Sequence, residues 1–200
     1  MSPGATFERV YEALKLQLGS GRFRPGEHLD PRAFSDELNA SITPVRDALH
    51  RLVGEGLVDA PRRDGFRMPP LTEVGLRHLY TWNQALLALA LRTGTPDPPP
   101  AVPSPPEAGD AVELNEQLFV RIARLGRNPE HESAVARLNE RLRLVRRTEA
   151  RLRPEMWEEI GAMEALISRG DLPALRGAVS AYHRRRERNA PQLVAMLLAP

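Results

Sequence analysis

The sequence predicts a mainly α protein in two parts: an N-terminal winged helix-turn-helix with a small β-hairpin wing, then a C-terminal all-α helical bundle. Three observations predict this. Two short helical patterns meet at a tight turn, Asn39-Ala40. Two brief apolar segments flank the turn residues Pro61-Arg62-Arg63-Asp64-Gly65. Beyond Pro69-Pro70, apolar residues recur at helical spacing, broken once by a run with seven prolines between Pro96 and Pro106. The domains read as residues 1–70 and 71–200, with a proline-rich loop at 94–110 inside the second.

Phe7, Val10, Tyr11, Leu14 and Leu18 share one helical face, which ends at Gly19-Ser20-Gly21. This first helix is scaffold, and Tyr11 is a core or dimer contact. Asp30 caps the next helix and Pro31 starts it. The partner helix takes Thr43 as N-cap and Pro44 as first residue, with Val45, Ala48, Leu49, Leu52 and Val53 as its apolar stripe. Gly56 is its stop, because glycine enters the left-handed cap cheaply. Residues 57–60 and 66–68 then read as the strands of a hairpin, with Asp64-Gly65 near its tip.

Thr72 caps a long helix running to about Arg92. Proline at the density of 96–106 forbids helix and gives a semi-rigid spacer. Helices follow at 112–123, through Val135, Leu138, Leu142 and Val145, at 157–169, and from about Pro173 past Tyr182. A final apolar turn covers 193–198, and the arginine-rich runs at 143–153 and 183–188 read as solvated helix faces.

Composition bounds the function. The absence of cysteine excludes disulfides, thiol nucleophiles and cysteine-ligated zinc. No apolar run approaches the ~18 residues that a membrane span needs. No basic-then-apolar leader opens the chain, which points to the cytoplasm. Net charge is +2, and residues 1–70 hold ten acidic and ten basic residues. Bulk charge therefore gives nucleic-acid binding no support, and the case rests on local placement. With no clustered Asp/His/Ser triad, phosphate loop or metal set, neither an enzyme nor a cofactor is expected.

Local placement supplies the case. The solvent face of the Pro44 helix carries Arg46 and His50, with Ser41 and Thr43 at its mouth. A short helix with hydroxyls and an arginine at its N-terminus can present donors to a DNA major groove. An ordinary amphipathic core helix reads the same way in isolation, and the neighbouring helix and wing decide between them. Arg62 and Arg63 on the hairpin suit phosphates or the minor groove.

Four pieces of this region carry a family resemblance: Pro25-Gly26-Glu27-x-Leu29, Ser41-x-Thr43-Pro44-Val45-Arg46-x-Ala48-Leu49, Leu52-x-x-Glu55-Gly56-Leu57-Val58 and Gly65-Phe66. Together they resemble the winged helix-turn-helix of GntR-type bacterial transcription regulators, in the FadR-like branch with an FCD-type helical effector domain. The resemblance implies DNA contacts from Arg32, Ser41, Thr43 and Arg46, with Gly65 at the wing tip. Ile42 departs from the arginine usual in that family and can touch a thymine methyl instead.

The resemblance also implies a divalent metal held by one carboxylate and three histidines. It places Glu116 at the carboxylate, with Val120, Ile160 and Tyr182 where histidines are usual and His183 beside the last. Valine and isoleucine have no lone pair to donate, so no bound metal is expected. The pocket implied there has Asn83, Glu116, Val120, Ile160 and Tyr182 as its candidates. Lined mostly by Leu, Val, Ile and Trp, it either prefers a small apolar effector or is filled by side chains.

The expected function is a cytoplasmic, homodimeric transcription regulator, a repressor, on an inverted-repeat operator of double-stranded DNA, with no membrane partner. The alternative is a ligand-binding or scaffolding protein whose DNA-binding head is weakened, suggested by Ile42 and by the neutral charge of residues 1–70.

Overall fold

The computed structural model describes residues 3–62, 64–94, 110–153 and 155–199. Two compact units divide at Leu71, the residues from Leu197 onward grouping with the first.

In the first unit, α1 (Pro3–Gly19) leads to β1 (His28–Leu29), α2 (Pro31–Glu37), α3 (Ile42–Gly54) and β2 (Phe66–Arg67). Helix α1 buries Val10, Tyr11, Leu14 and Leu18, α2 buries Phe34, and α3 buries Val45, Ala48, Leu49 and Leu52. Each such leucine contributes about 1.5–3 kcal/mol over an exposed one. Asp30 caps α2 through the Arg32 amide and Pro31 opens the helix. Asn39 turns left-handed at φ 47°, a conformation asparagine tolerates.

Two expectations need correction here. Helix α3 opens at Ile42 with Ser41 as its cap residue, so Thr43 lies inside the first turn rather than before it. Pro44 then sits third, still among the amides that lack a helical partner, so it costs no hydrogen bond. The wing is also not a simple hairpin of 57–60 with 66–68. Strand β2 pairs antiparallel with β1, His28 opposite Arg67 and Leu29 opposite Phe66. Residue 59 joins from the other side through one isolated bridge to Arg67. The reason lies at the end of α3, where the Leu57 and Val58 amides both donate back to the Leu52 carbonyl. That leaves Asp59 and Ala60 before Pro61, and of these Asp59 makes the bridge. Gly56, at φ 72°, turns the chain out of the helix as expected.

The second unit is built from α4 (Glu73–Thr93), α5 (Ala111–Leu125), α6 (Pro129–Leu152), α7 (Met156–Ser168) and α8 (Leu172–Leu198). Thr72, Asp110 and Asn128 each cap a helix with a side-chain oxygen. Leu87, Leu91, Phe119, Ile122, Leu138, Met163, Val179 and Tyr182 belong to one core cluster. Helix α8 runs unbroken through Pro191, so the separate final turn read from the sequence is its last stretch. Ala190, Leu193 and Val194 keep the buried face in phase across the proline. Most of the expected proline-rich loop, residues 95–109, lies outside the described residues. Among the described residues, no helix is long and apolar enough to cross a membrane.

Candidate nucleic-acid interface

The turn joining α2 and α3 is fixed by side chains. Ser35 Oγ donates to the Ala40 carbonyl at 2.6 Å, and Arg9 Nη1 donates to the Leu38 carbonyl at 3.0 Å. Behind α3, the Tyr11 hydroxyl donates to Glu55 at 2.8 Å and Arg51 stacks 3.9 Å over the Tyr11 ring. Burial, with the Glu55 carboxylate behind it, pushes the Tyr11 phenol well above its usual range. These contacts hold the inward side of α3 and leave its opening turn in solvent. Ser41, Ile42, Thr43, Arg46 and His50 are all exposed.

Arg32 is exposed on the first turn of α2, and Arg62 is exposed on the wing. Arg63 lies outside the described residues. Gly65 takes φ 67°, and a Cβ there would stand 3.1 Å from His28 Nε2. His50 has an exposed body, but its ring meets Phe66 edge-on at 4.9 Å, so it joins α3 to β2. That packing role was not legible from the sequence.

Charge pairing sharpens the neutral balance of residues 1–70. Glu37 is held by Arg22, Glu8 and Glu55 by Arg51, and Asp59 and Asp64 by Arg67. The side chains of Arg32, Arg46 and Arg62 have no hydrogen-bond or ion-pair partner among the described residues. Several acids are thus neutralised internally while these three arginines stay unpaired among the described residues, with exposed Asp47 beside Arg46 as the counterweight.

The helical unit differs from its expected pocket. Glu116 and Val120 line an open cleft of about 280 Å³ with Gln117, Arg124, Ala136, Asn139 and Glu140. Asn83, Ile160 and Tyr182 do not line it, and each is buried. Helix α5 instead turns Asn115 and Phe119 toward α8, one residue out of step with Glu116 and Val120. The Tyr182 hydroxyl donates to Asn115 Oδ1 at 3.2 Å, and Phe119 meets the Tyr182 ring at 5.1 Å and the His183 ring at 5.7 Å. Glu116 is drawn to Arg143, whose Nε donates to it at 3.0 Å. Phenylalanine offers no lone pair and Asn115 and Tyr182 are neutral, so this donor set does not fit a divalent metal.

Nor is the interior apolar. Asn83, Asn115, Asn139, Arg146, Glu149, His183 and Arg186 are buried, so the two arginine-rich runs are not simply solvated faces. Trp82 and Trp157, expected in the lining, are exposed. Arg186 pairs with Glu149 at 3.0 Å and Glu159 at 2.8 Å. His183 Nδ1 donates to the Val179 carbonyl at 2.8 Å, and burial holds the imidazole neutral by pushing its pKa down to about 3. Asn83 Oδ1 lies 2.9 Å from its Nε2, and Asn83 Nδ2 is buried without a partner among the described residues.

Comparison with known proteins joins these observations. The family description "Bacterial regulatory proteins, gntR family" matches residues 6–68, most of the first unit. The Nta operon transcriptional regulator of Aminobacter aminovorans is 30% identical over 141 residues, covering 64% of this chain and 67% of its own length. The chain belongs to the GntR family. It is a DNA-binding transcription regulator of that family. A second relative, the HTH-type transcriptional regulator McbR of Escherichia coli K12, is 36% identical over 117 residues. That match covers 55% of this chain and 46% of McbR, less than half the relative's length. Among solved structures, a GntR regulator from Rhodococcus sp. RHA1 superposes with TM-score 0.75 at 17% identity, covering 94% of this chain and 98% of the other. E. coli McbR/YncC superposes with TM-score 0.64 at 22% identity, covering 94% and 97%. Both likenesses describe the fold, helical unit included.

Proposed function

We propose that this GntR-family regulator is a cytoplasmic repressor that binds an inverted-repeat operator as a homodimer, under the control of a small molecule held by an FCD-type helical domain. The observation that carries the reading is the exposed opening turn of α3, with Ser41, Ile42 and Thr43 ahead of Arg46, whose side chain has no partner among the described residues. Arg46 forks onto guanine O6/N7 or holds a phosphate, and the hydroxyls take phosphate or base-edge bonds. Arg32 and the wing residues Arg62, Arg63 and Gly65 follow the backbone on either side. One head seldom gives tight binding, whereas a two-fold pair reads two half-sites together. A repressor then acts by covering promoter DNA.

The test is a mobility shift with the promoter beside the protein's own gene. Arg46→Ala should abolish the specific complex while leaving circular dichroism unchanged, because Arg46 is exposed. Unchanged binding would sink this placement of the recognition helix. The second reading, a ligand-binding or scaffolding protein with a weakened DNA-binding head, draws on Ile42 and on exposed Asp47. It is favoured if the wild-type protein shifts no operator fragment at low salt.

A further inference from the structure

The small sheet of β1, β2 and the Asp59 bridge has two faces, and only one is buried. Leu29 and Phe66 oppose each other on the inner face, while His28, Arg67 and Asp59 follow one another across the outer one. His28 is exposed there, and the Nε2–Cε1 edge of its ring lies beside Gly65. A Cβ on residue 65 would stand 3.1 Å from Nε2 and 3.8 Å from Cε1, so the glycine leaves the imidazole its place.

The charges around that ring are engaged with other groups. Arg67 Nε and Nη2 donate to Asp59 at 3.1 and 2.9 Å, and Asp64 stands 3.7 Å from the same guanidinium. Beside His28 in sequence, Glu27 accepts from the Arg24 amide at 2.8 Å and Asp30 from the Arg32 amide at 2.9 Å. His28 itself has no hydrogen-bond or ion-pair partner among the described residues. A proton on this ring therefore faces solvent, or a phosphate brought against the sheet. Histidine is the side chain whose charge ordinarily changes between about pH 5 and 8. Residues 1–70 hold ten basic and ten acidic residues, so that one proton is a whole unit of net charge on a balanced head. Imidazolium donates from both ring nitrogens, and charge-assisted bonds to phosphate are stronger than neutral ones.

We propose that His28 is a further DNA-contacting residue: protonated, it grips a backbone phosphate beside Gly65, so that mild acidification tightens the protein's hold on DNA. This deepens the reading of the winged unit as the DNA-binding head and rests on it. The rival source of a pH dependence is His50, the other histidine of that unit, whose ring meets Phe66 and whose helix carries Arg46, Asp47 and Arg51 beside it.

The experiment follows fluorescence anisotropy of the full chain on the promoter fragment beside its own gene, from about 50 to 200 mM salt at about pH 6 and about pH 8. For each bound head the wild type should lose about 3.5-fold more affinity across that salt range at the lower pH, a slope steeper by about 0.9. His28→Gln keeps a donor but cannot be charged, so it should show one slope at both pH values. His28→Lys is charged at both and should show the steeper slope throughout. Both substitutions fall on an exposed side chain, and circular dichroism checks that the fold is unchanged. A histidine with only a structural role would shift affinity equally at the two pH values and leave the difference between slopes in place. The proposal is overturned if the wild-type slopes coincide, if their difference survives in His28→Gln, or if it disappears with His50→Gln instead. Tight binding with coincident slopes removes the His28 contact alone and leaves the DNA-binding head standing. A wild type that binds no fragment at either pH, even at low salt, removes the reading of the head and this contact with it.

Discussion

Ile42 is 38% exposed in the first turn of α3, and an aliphatic side chain there can meet a thymine methyl but cannot hold a phosphate. Ile42→Arg should therefore steepen the fall of log affinity with log salt by about 0.9, the worth of one phosphate contact. Ile42→Ala should leave that slope alone and weaken discrimination at one base pair. Fluorescence anisotropy between about 50 and 200 mM salt measures both, and an unchanged slope for the arginine variant would place residue 42 away from the backbone. His183 gives a pH prediction. Burial lowers its folded pKa to about 3, below the ordinary value of 6.5, so the folded state refuses a proton that the unfolded chain accepts. Stability is then full above pH 6.5 and is lost as pH falls toward 3. Between pH 6.5 and 5 this amounts to about 2 kcal/mol, and His183→Gln should show a correspondingly flatter decline in urea midpoints. Identical slopes would mean that His183 is not held neutral. Such residues are hard to read in advance, because arginine and histidine on a helix usually belong to the wet face. The signal was nevertheless present: Asn139, Arg146 and Glu149 share the inward phase of Leu138, Leu142 and Val145, and Asn115 shares that of Phe119 and Ile122.

The helix-turn-helix was legible because its signals are local: Asp30 with Pro31, the Asn39 turn, and the apolar stripe of α3 all act within a few residues. The wing was legible only in part, since strand pairing depends on partners distant in sequence. Nothing near residue 66 reveals that His28 and Leu29 will pair with it, or that Leu57 and Val58 will spend their amides on α3. Within the helical unit the start of α4 and the end of α5 were legible, because Thr72 and Gly126 mark them locally, whereas the continuation of α8 through Pro191 was not. The unit was misread by one residue in the inward face of α5, where neighbouring positions 115, 116, 118 and 119 are all buried and periodicity alone selects poorly. The wing offers its own test. Gly65 sits at φ 67°, where a side chain costs roughly 1–2 kcal/mol. The nearest atom to an added Cβ belongs to the end of the exposed His28 side chain, which can move, so backbone strain is the larger effect. Gly65→Ala should lower the melting temperature and weaken DNA binding, while Gly65→Asn, which tolerates the left-handed region, should recover most of both. Equal losses for the two variants would instead assign the defect to lost close approach at the wing tip.

Two reading heads are worth more than one only if something joins them, and α4 offers a surface for this. While it buries Leu76, Tyr80, Leu87 and Leu91 inward, it leaves Val74, Trp82 and Leu89 exposed at helical spacing, Trp82 by 54%. A tryptophan so exposed beside other apolar residues marks an interaction surface more than a solvated face. A second copy of the chain is the occupant that the proposed inverted-repeat operator requires, because a two-fold interface repeats the same patch on both partners. Trp82→Arg removes the apolar anchor and sets like charges against each other across that axis. Sedimentation should then show a monomer at concentrations where the wild type is a dimer, with circular dichroism preserved because residue 82 takes no part in the core. Affinity for the full operator should fall about 100-fold or more, since the second head is no longer held near its half-site. Affinity for an isolated half-site should stay within about twofold, because no DNA contact has changed. A variant that sediments as the wild type does would move the dimer surface away from α4, and a loss at the half-site equal to that at the full operator would assign the defect to the reading head instead.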